Sequence, residues 1–189
     1  MGLDAKGDGI SSSTAADDRA IVDACLAGDS TAFDVIVERH RRQVYQLCFR
    51  YVGNHEDASD LAQDAFVRAF KGLKGFKGQS SLSTWLYRIA VNVCLNRVAL
   101  KTPRAEALDP AERIDTRAER PDVTLLRAER AGEVRAAIRD LPPKQRATLI
   151  LRVYHELPHE EIAAILGSSV GAAKANFFHA LANLKKLLR

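Results

Sequence analysis

The most constraining feature of this sequence is a stripe of apolar residues at helical spacing in its first half. The stripe comprises Ala58, Leu61, Ala62, Ala65, Phe66, Ala69, Phe70 and Leu73. This i, i+3, i+4, i+7 pattern is typical of an α-helix with one apolar face. Because such a helix is stable only when other elements cover that face, the stripe predicts a helical bundle.

Two neighbouring segments supply helices that can cover the stripe. Apolar residues recur at helical spacing over 30–52, and Asp29 or Ser30 is suited to cap the start of this helix. A glycine-rich loop, GFKGQSS, separates the striped helix from a third helix over 82–100. Together these segments predict one all-α domain over residues 18–100.

Composition agrees with a soluble helical chain. Apolar residues make up 47% of the sequence and charged residues 28%, whereas only 6% are aromatic, which favours helix over sheet. Cys25, Cys48 and Cys94 lie in apolar helical patterns far apart, so we expect free, buried thiols in a reducing compartment. The absence of a long apolar run or a signal-peptide pattern predicts a cytoplasmic protein without membrane insertion. Residues 1–17, rich in Gly, Ser, Ala and Asp, are expected to form a flexible tail.

A second helical domain is predicted beyond a segment of different composition. Residues 101–125 contain three prolines, mixed charges and few apolar residues, which is typical of an extended linker. The expected helices beyond it cover residues 126–141, 144–154 and 158–167 and, after the turn GSSVG, the rest of the chain.

The last two predicted helices have a helix-turn-helix layout: a short helix, a turn that contains glycine and a longer basic helix. We expect Lys174, Asn176 and His179 to face the major groove of DNA, with Ser168 and Ser169 near a backbone phosphate. The last helix and the turn before it contain no acidic residue, and the net charge of the chain is +4, which suits a polyanionic partner. An ordinary helical hairpin with a solvated basic face is the alternative.

One motif points to a different chemistry. Residues 155–159 match H-E-x-x-H, in which two histidines one helical turn apart bind zinc and the glutamate acts as a base. Pro158 lies inside the motif, where it would disrupt that turn, and it is better placed as the first residue of the following helix. We therefore do not expect a metalloprotease site.

Both halves of the chain resemble one family, the extracytoplasmic-function sigma factors of bacteria. The resemblance is carried by DASDLAQDAFVRAFKGL and FKGQSSLSTWLYRIAVNVCLN in the first half and by LPPKQRATLILRVYHELPHEEIAAILGSSVGAAKA in the second. It implies an all-α protein with two small domains, sigma region 2 at 18–100 and sigma region 4 at 126–189, joined by a flexible linker. It also implies a DNA-binding specificity subunit of RNA polymerase, with no catalytic residue, metal or cofactor of its own.

The striped helix corresponds to the one that, in relatives, docks onto the clamp coiled coil of the largest polymerase subunit. The resemblance therefore implies that core RNA polymerase is a partner. The expected polymerase contacts are Asp57, Asp60, Leu61, Gln63, Asp64 and Phe66. Their polar members fall opposite the core stripe, although a solvated helix face would have the same composition.

The loop from Gly75 to Ser81 resembles the family segment that captures a flipped-out base of the −10 promoter element. Base flipping costs a few kcal/mol, so a receiving pocket and a positively charged strand path are needed. The expected DNA contacts are Lys74, Lys77, Gly78, Gln79, Ser80, Arg88, Asn92, Asn96 and Arg97. Trp85 corresponds to an aromatic position of the family, but its place on the apolar face favours a core role over base stacking.

The final helix resembles the one that reads the −35 promoter element. Its expected DNA contacts are Ser168, Ser169, Gly171, Ala172, Lys174, Ala175, Asn176 and His179. Relatives often have Ser or Arg where this chain has Ala175, Asn176 and His179, and often have Arg near Val91. Because fewer guanidinium groups allow fewer bidentate contacts to guanine, an atypical −35 sequence is expected.

Two other classes of protein share some of these features. A stand-alone helix-turn-helix regulator would bind duplex DNA specifically without polymerase, and an interaction adaptor would bind no specific DNA. The resemblance instead implies promoter DNA as a partner, both duplex and single-stranded, and an anti-sigma factor as the regulatory partner.

Overall fold

A computed structural model of the protein describes residues 8–29, 31–101 and 123–188. All regular secondary structure within these ranges is helical, which confirms the predicted all-α class. The chain divides into two compact units, one formed by Met1–Phe49 and His55–Val93 and the other by Arg50–Asn54 and Cys94–Arg189. No helix within the described ranges is both long and apolar enough to cross a membrane.

Eight α-helices and one 3-10 turn follow one another along these ranges. They are α1 Asp8–Leu26, α2 Thr31–Val52, α3 His55–Gly72, the 3-10 turn Leu73–Gly75, α4 Leu82–Lys101, α5 Val123–Arg139, α6 Pro143–Tyr154, α7 His159–Leu166 and α8 Val170–Leu187. The predicted helices agree with α2 to α8 to within a few residues. The greater part of the predicted linker, residues 102–122, lies outside the described residues.

Most of the apolar stripe of α3 lies in the core of the first unit, but Phe66 is only partly buried and Phe70 is 54% exposed. Ala58, Leu61, Ala65 and Ala69 are buried, as are the residues of α2 and α4 that share this core. These are Ile36, Val44, Leu47, Leu82, Leu86, Ala90, Val91 and Val93. The small alanines of α3 allow neighbouring helices to approach closely, while the larger side chains of α2 and α4 fill the remaining volume.

Helix α1 begins at Asp8, inside the segment that was expected to be a flexible tail. It is attached to the unit by the buried side chain of Val22 and by an ion pair of 2.6 Å between Asp18 and Arg39 of α2. The sequence of its first half, with few apolar residues, gives no periodic signal for this helix.

The start of α2 is held by Asp29, one of the two predicted caps. Its carboxylate accepts hydrogen bonds from the backbone N–H of Thr31 at 2.9 Å and from the Thr31 hydroxyl at 2.6 Å. These bonds, with the Thr31 hydroxyl contributing most, hold the pKa of Asp29 below its usual range. The other candidate, Ser30, lies outside the described residues.

Helix α2 also carries a buried histidine that makes the first unit sensitive to acid. Burial lowers the pKa of His40 below its usual value of 6.5, and the nearby Asp18 carboxylate only partly opposes this effect. The unfolded chain therefore takes up a proton at a higher pH than the folded chain does. It follows that the contribution of His40 to stability falls as the pH drops below about 6.5.

We expect His40→Gln to reduce but not abolish the loss of stability between pH 7 and pH 5. The glutamine does not titrate, whereas His155, whose pKa burial lowers to about 4, keeps its own contribution. Urea unfolding of both proteins across this range measures the effect. His179→Gln, at an exposed position on α8, is the matched control and should retain the wild-type dependence. Parallel pH profiles for wild type and His40→Gln would show that His40 is not the source.

The second unit is centred on α6, which contacts both α7 and α8. Ile150 and Leu151 of α6 are fully buried together with Ile162 of α7 and Ala173 of α8. The sequence pattern predicts that Ile162, Ala163 and Leu166 of α7 pack against Val170, Ala173 and Phe177 of α8. Of these six, Ile162, Ala163 and Ala173 are buried and the other three are partly buried. The Asn183 amide of α8 also donates a hydrogen bond of 2.9 Å to Gln145 of α6.

A buried arginine holds the corner between α5 and α6. The guanidinium of Arg146 donates hydrogen bonds to the backbone carbonyls of Arg139 and Leu141, the latter at 3.1 Å. Arg139 is the last residue of α5 and Leu141 lies two residues beyond it, where carbonyl groups have no intrahelical donor. The side chain of Arg146 in α6 therefore donates hydrogen bonds to the carbonyl groups at the end of α5.

The turn between α7 and α8 depends on glycine. Gly167 has a φ of 59°, in the left-handed region, and Ser168 N–H donates to the Ala163 carbonyl at 2.9 Å, which closes the end of α7. A Cβ atom on Gly167 would meet nothing within 4 Å, so only the backbone conformation disfavours a side chain there. Gly171, inside the first turn of α8, has no such requirement.

We expect Gly167→Ala to reduce the free energy of unfolding by about 1 kcal/mol, the cost of a left-handed alanine. Gly171→Ala is the matched control and should raise it by up to about 1 kcal/mol, since alanine is the better helix former. Chemical denaturation of the two variants measures both changes. A loss of similar size in both variants would contradict the assigned turn geometry.

Candidate protein and nucleic-acid interfaces

The outer face of α3 carries the polar residues expected to bind a protein partner. Asp60 and Gln63 are exposed, Asp57, Asp64 and Phe66 are partly buried, and Leu61 is only 6% exposed. Leu61 therefore supports this face from beneath and does not form part of its surface. The term "α3 face" below means Asp57, Asp60, Gln63, Asp64 and Phe66.

Two carboxylates of the α3 face, Asp60 and Asp64, differ in whether they form an ion pair. Asp64 accepts two hydrogen bonds from the Arg68 guanidinium, at 3.0 and 3.1 Å, one helical turn along. Asp60 has no ion pair within the part of the chain that the structure describes. Asp60 thus presents an unneutralised charge to any partner that approaches α3.

A groove between α2 and α3, which was not predicted from the sequence, borders this face. Its volume is about 480 Å³, and its surface is mostly apolar. The lining residues are Val37, Arg41, Arg42 and Tyr45 of α2 and Ser59, Ala62, Gln63 and Phe66 of α3. Two members of the α3 face, Gln63 and Phe66, therefore also line an apolar groove with two arginines.

The loop between α3 and α4 projects the residues expected to contact the −10 strand. Lys74, Lys77, Gln79 and Ser80 are all exposed, and Gly78 has a φ of 68° that favours glycine. The loop ends at Ser81, whose hydroxyl accepts a hydrogen bond of 3.1 Å from the backbone N–H of Thr84. This bond fixes the point at which the loop enters α4.

Trp85 lies at the foot of this loop and is partly buried. Its ring packs against Phe76 with 5.3 Å between ring centroids. The favoured core role is therefore only partly met, since the Trp85 side chain packs against Phe76 but is not fully buried. Val91, where relatives often have arginine, is 1% exposed and belongs to the core.

The outer face of α4 extends the polar surface beyond the loop. Arg88 and Asn92 lie one turn apart on α4 and are both exposed. Asn96 and Arg97, farther along the same helix, are also exposed but are grouped with the second unit. The structure therefore places the loop residues together with Arg88 and Asn92 in the first unit.

The start of α8 is organised for a solvent-exposed reading face. The Ser169 hydroxyl accepts a hydrogen bond of 3.1 Å from the backbone N–H of Ala172, which caps the helix. Six of the eight residues expected to contact the −35 element are exposed and two, Ser168 and Asn176, are partly buried. The exposed six are Ser169, Gly171, Ala172, Lys174, Ala175 and His179.

Phe178 also belongs to this face, although it was not predicted. It is 69% exposed and lies one turn after Lys174, with its ring 5.9 Å from that of His179 between centroids. Such exposure is unusual for phenylalanine and has no explanation in the packing of α8. The apolar periodicity of α8 passes through Val170, Ala173 and Phe177, so it places Phe177 on the packed side of the helix and Phe178 outside it.

The H-E-x-x-H match does not form a continuous helix. Helix α6 ends at Tyr154 and α7 begins at His159, so the two histidines lie at the ends of a connecting segment. Pro158 is the N-cap of α7, one residue before the predicted position. Glu156, between them, has a φ of 55°. This geometry cannot present the two imidazoles one helical turn apart.

Comparison with known proteins assigns both units. The family model for sigma-70 region 2 matches residues 36–102, and the model for sigma-70 region 4 matches residues 131–184. The first match contains the α3 face and the loop, and the second contains α6, α7 and most of α8. These matches agree with the region 2 and region 4 assignments expected from the sequence.

Curated relatives are similar over nearly their whole length. RNA polymerase sigma-H factor of Pseudomonas aeruginosa is 32% identical over 91% of this chain and 94% of its own. ECF RNA polymerase sigma factor SigW of Bacillus subtilis is 34% identical over 86% of this chain and 91% of its own. The ECF sigma-E factor of Escherichia coli K12 is 34% identical over 86% of this chain and 90% of its own.

Solved structures show the same fold. CnrH, in complex with the cytosolic domain of CnrY, matches with a TM-score of 0.66 and 26% identity over 90% of this chain and 96% of its own. RpoE of Bartonella quintana, in complex with the anti-sigma factor NepR, matches with a TM-score of 0.64 over 82% of this chain and 96% of its own. The chain belongs to the extracytoplasmic-function family of RNA polymerase sigma factors.

Proposed function

We propose that this sigma factor binds core RNA polymerase through the α3 face and directs it to promoters through two DNA-reading surfaces. The observation that carries the proposal is the exposure of these surfaces within the segments that match sigma regions 2 and 4. The chain supplies recognition and strand separation, whereas the chemistry of RNA synthesis belongs to the polymerase. Its proposed place of action is the cytoplasm, where transcription takes place.

Docking to the polymerase is supported by the mixed character of the α3 face. The carboxylates of Asp60 and Asp64 attract a basic partner surface, and the groove beside them offers apolar contact area around Phe66. Complementary charge speeds association and fixes the orientation, while burial of apolar surface provides most of the affinity. This combination suits a partner helix that has both basic and apolar residues.

Reading of the −10 element is assigned to the loop and the neighbouring face of α4. Lys74, Lys77 and Arg88 provide positive charge for the phosphates of a separated strand. A base flipped from that strand would enter the loop near Gly78, and the accessible part of the Trp85 ring is available to border it. Protein contacts to the flipped base repay the few kcal/mol lost on unstacking.

Reading of the −35 element is assigned to the exposed face of α8. Lys174 is suited to guanine or a phosphate, whereas Ala175 and Phe178 are suited to the methyl group of thymine. With Asn176 partly buried, the face has one lysine and no arginine among the eight expected contact residues. We therefore propose a −35 element in which thymine methyl groups contribute more than bidentate guanine contacts.

Regulation by an anti-sigma factor is proposed on the same surfaces. The solved relatives CnrH and RpoE are each described in a complex, RpoE with an anti-sigma factor. A protein that covered the α3 face would block the polymerase and leave the chain inactive. Release of that protein would restore access to Asp60 and to the groove.

The function can be tested with 2-aminopurine, a fluorescent adenine analogue, placed in the −10 segment of promoter DNA. Holoenzyme is mixed with fork-junction DNA from a promoter selected in vitro, with a single-stranded −10 segment. We expect a saturable change in the emission of the labelled base, because the separated strand enters the loop beside Trp85, and no competition by an unlabelled duplex that ends upstream of −10. Equal binding of that duplex by the free chain would favour a stand-alone regulator.

A further inference from the structure

Helix α1 lies against the loop that is proposed to receive the −10 strand. The helix packs beside the 3-10 turn Leu73–Gly75, from which the loop starts. Arg19 Nη1 lies 3.9 Å from the position that a Cβ atom would occupy on Gly78. An arginine from outside the predicted DNA-binding set therefore reaches the centre of this loop.

The position of Arg19 is determined by its neighbours on α1. Val22, one turn along, is buried in the first unit, and Asp18 makes the 2.6 Å ion pair with Arg39 of α2. Arg39 thereby neutralises Asp18, which precedes Arg19 in the sequence. Arg19 itself is exposed and has no ion pair in the described part of the chain.

Arg19 is the one basic residue of α1. It therefore adds a positive charge on the side of the loop that faces this helix. Lys74 and Lys77 already supply charge from the loop itself, so a strand that passes Gly78 would meet cations from two elements. A guanidinium is suited to a phosphodiester because its donors match the geometry of phosphate oxygens. A Cβ atom on Gly78 would lie in van der Waals contact with Arg19 Nη1, so the guanidinium lies directly beside the loop backbone.

We propose that Arg19 binds a backbone phosphate of the separated −10 strand, so that α1 forms part of the DNA-binding surface. The proposal rests on the assignment of the loop to the −10 element. It predicts that α1, which was expected to belong largely to a tail, contributes to promoter opening. Its ligand is the sugar-phosphate backbone, so the contact carries no base specificity of its own.

The test compares holoenzymes with Arg19→Gln, Arg19→Lys and Lys77→Gln in binding to fork-junction DNA across a salt series. Loss of one phosphate contact to single-stranded DNA lowers the slope of log K against log salt by about 0.7. We expect this change for Arg19→Gln, with roughly fivefold weaker binding near 0.1 M salt. Arg19→Lys should retain the wild-type slope, because it retains the charge.

Arg130→Gln, at an exposed position on α5 outside the proposed surfaces, is the matched control and should behave as wild type. The helical content and Trp85 emission of each free variant establish that it is folded. A wild-type slope for Arg19→Gln, together with a reduced slope for Lys77→Gln, would overturn the role of Arg19 alone. Wild-type slopes for both would overturn the assignment of the loop itself.

Discussion

Reversal of two charges on the α3 face, Asp60→Lys with Asp64→Lys, is expected to weaken binding to core polymerase roughly a hundredfold, or about 2.7 kcal/mol. The double change replaces the acidic surface with two cations and releases Arg68 from its pair with Asp64. The basic partner surface would then meet three positive charges. Affinity measured by fluorescence anisotropy of a labelled chain reports the loss.

The fold should survive this reversal, because Asp60 is exposed and Asp64 is only partly buried. Like charges one turn apart on a helix cost about 0.2–0.5 kcal/mol per pair, far less than the expected loss in binding. Asp23→Lys, at an exposed position near the end of α1, is the control, since a cation is favourable there. If the double variant bound core polymerase with wild-type affinity, the α3 face would not be part of the polymerase interface.

The second large effect is expected at the reading face of α8. Lys174→Ala should reduce initiation at a promoter that depends on its −35 element by about tenfold, the value of one good base or phosphate contact. Binding to core polymerase should be unchanged, because Lys174 is exposed on α8 and lies outside the α3 face. Initiation rates on promoters with intact and scrambled −35 elements measure the difference.

Lys186→Ala serves as the control for this experiment. It removes the same charge from the exposed surface of α8. Lys186 lies in the last turn of the helix, far from the N-terminal end that Ser169 caps. We expect it to leave the −35 dependence intact. If Lys174→Ala lowered core binding and initiation to the same extent, Lys174 would have a structural role instead.

The strongly periodic elements of this fold are predictable from the sequence. The stripe of α3 and the apolar patterns of α2 and α4 specify a bundle because each buried residue repeats at the helical period. Pro143, Gly167 and the Ser169 cap mark the limits of α6, α7 and α8 by local chemistry. Helix α1 lacked both signals, since it depends on Val22 and on the pair between Asp18 and Arg39.

The candidate surfaces were predictable only in part. Charged residues such as Asp60, Lys77 and Lys174 are exposed as expected, because ions remain in water unless they are paired. The groove between α2 and α3 and the approach of Arg19 to Gly78 arise from tertiary packing, which leaves no periodic trace in the sequence. The exposure of Phe178, by contrast, was predictable, because this residue lies outside the helical spacing that links Val170, Ala173 and Phe177.

The central claim is that this chain makes core polymerase specific for a promoter. The most direct measurement combines purified chain with bacterial core polymerase, tests for co-elution and then for initiation at a promoter selected from random DNA. We predict a stable complex and transcripts that require the chain. A folded chain, free of any inhibitor, that neither co-eluted nor supported initiation would contradict the account, above all if it bound duplex DNA specifically on its own.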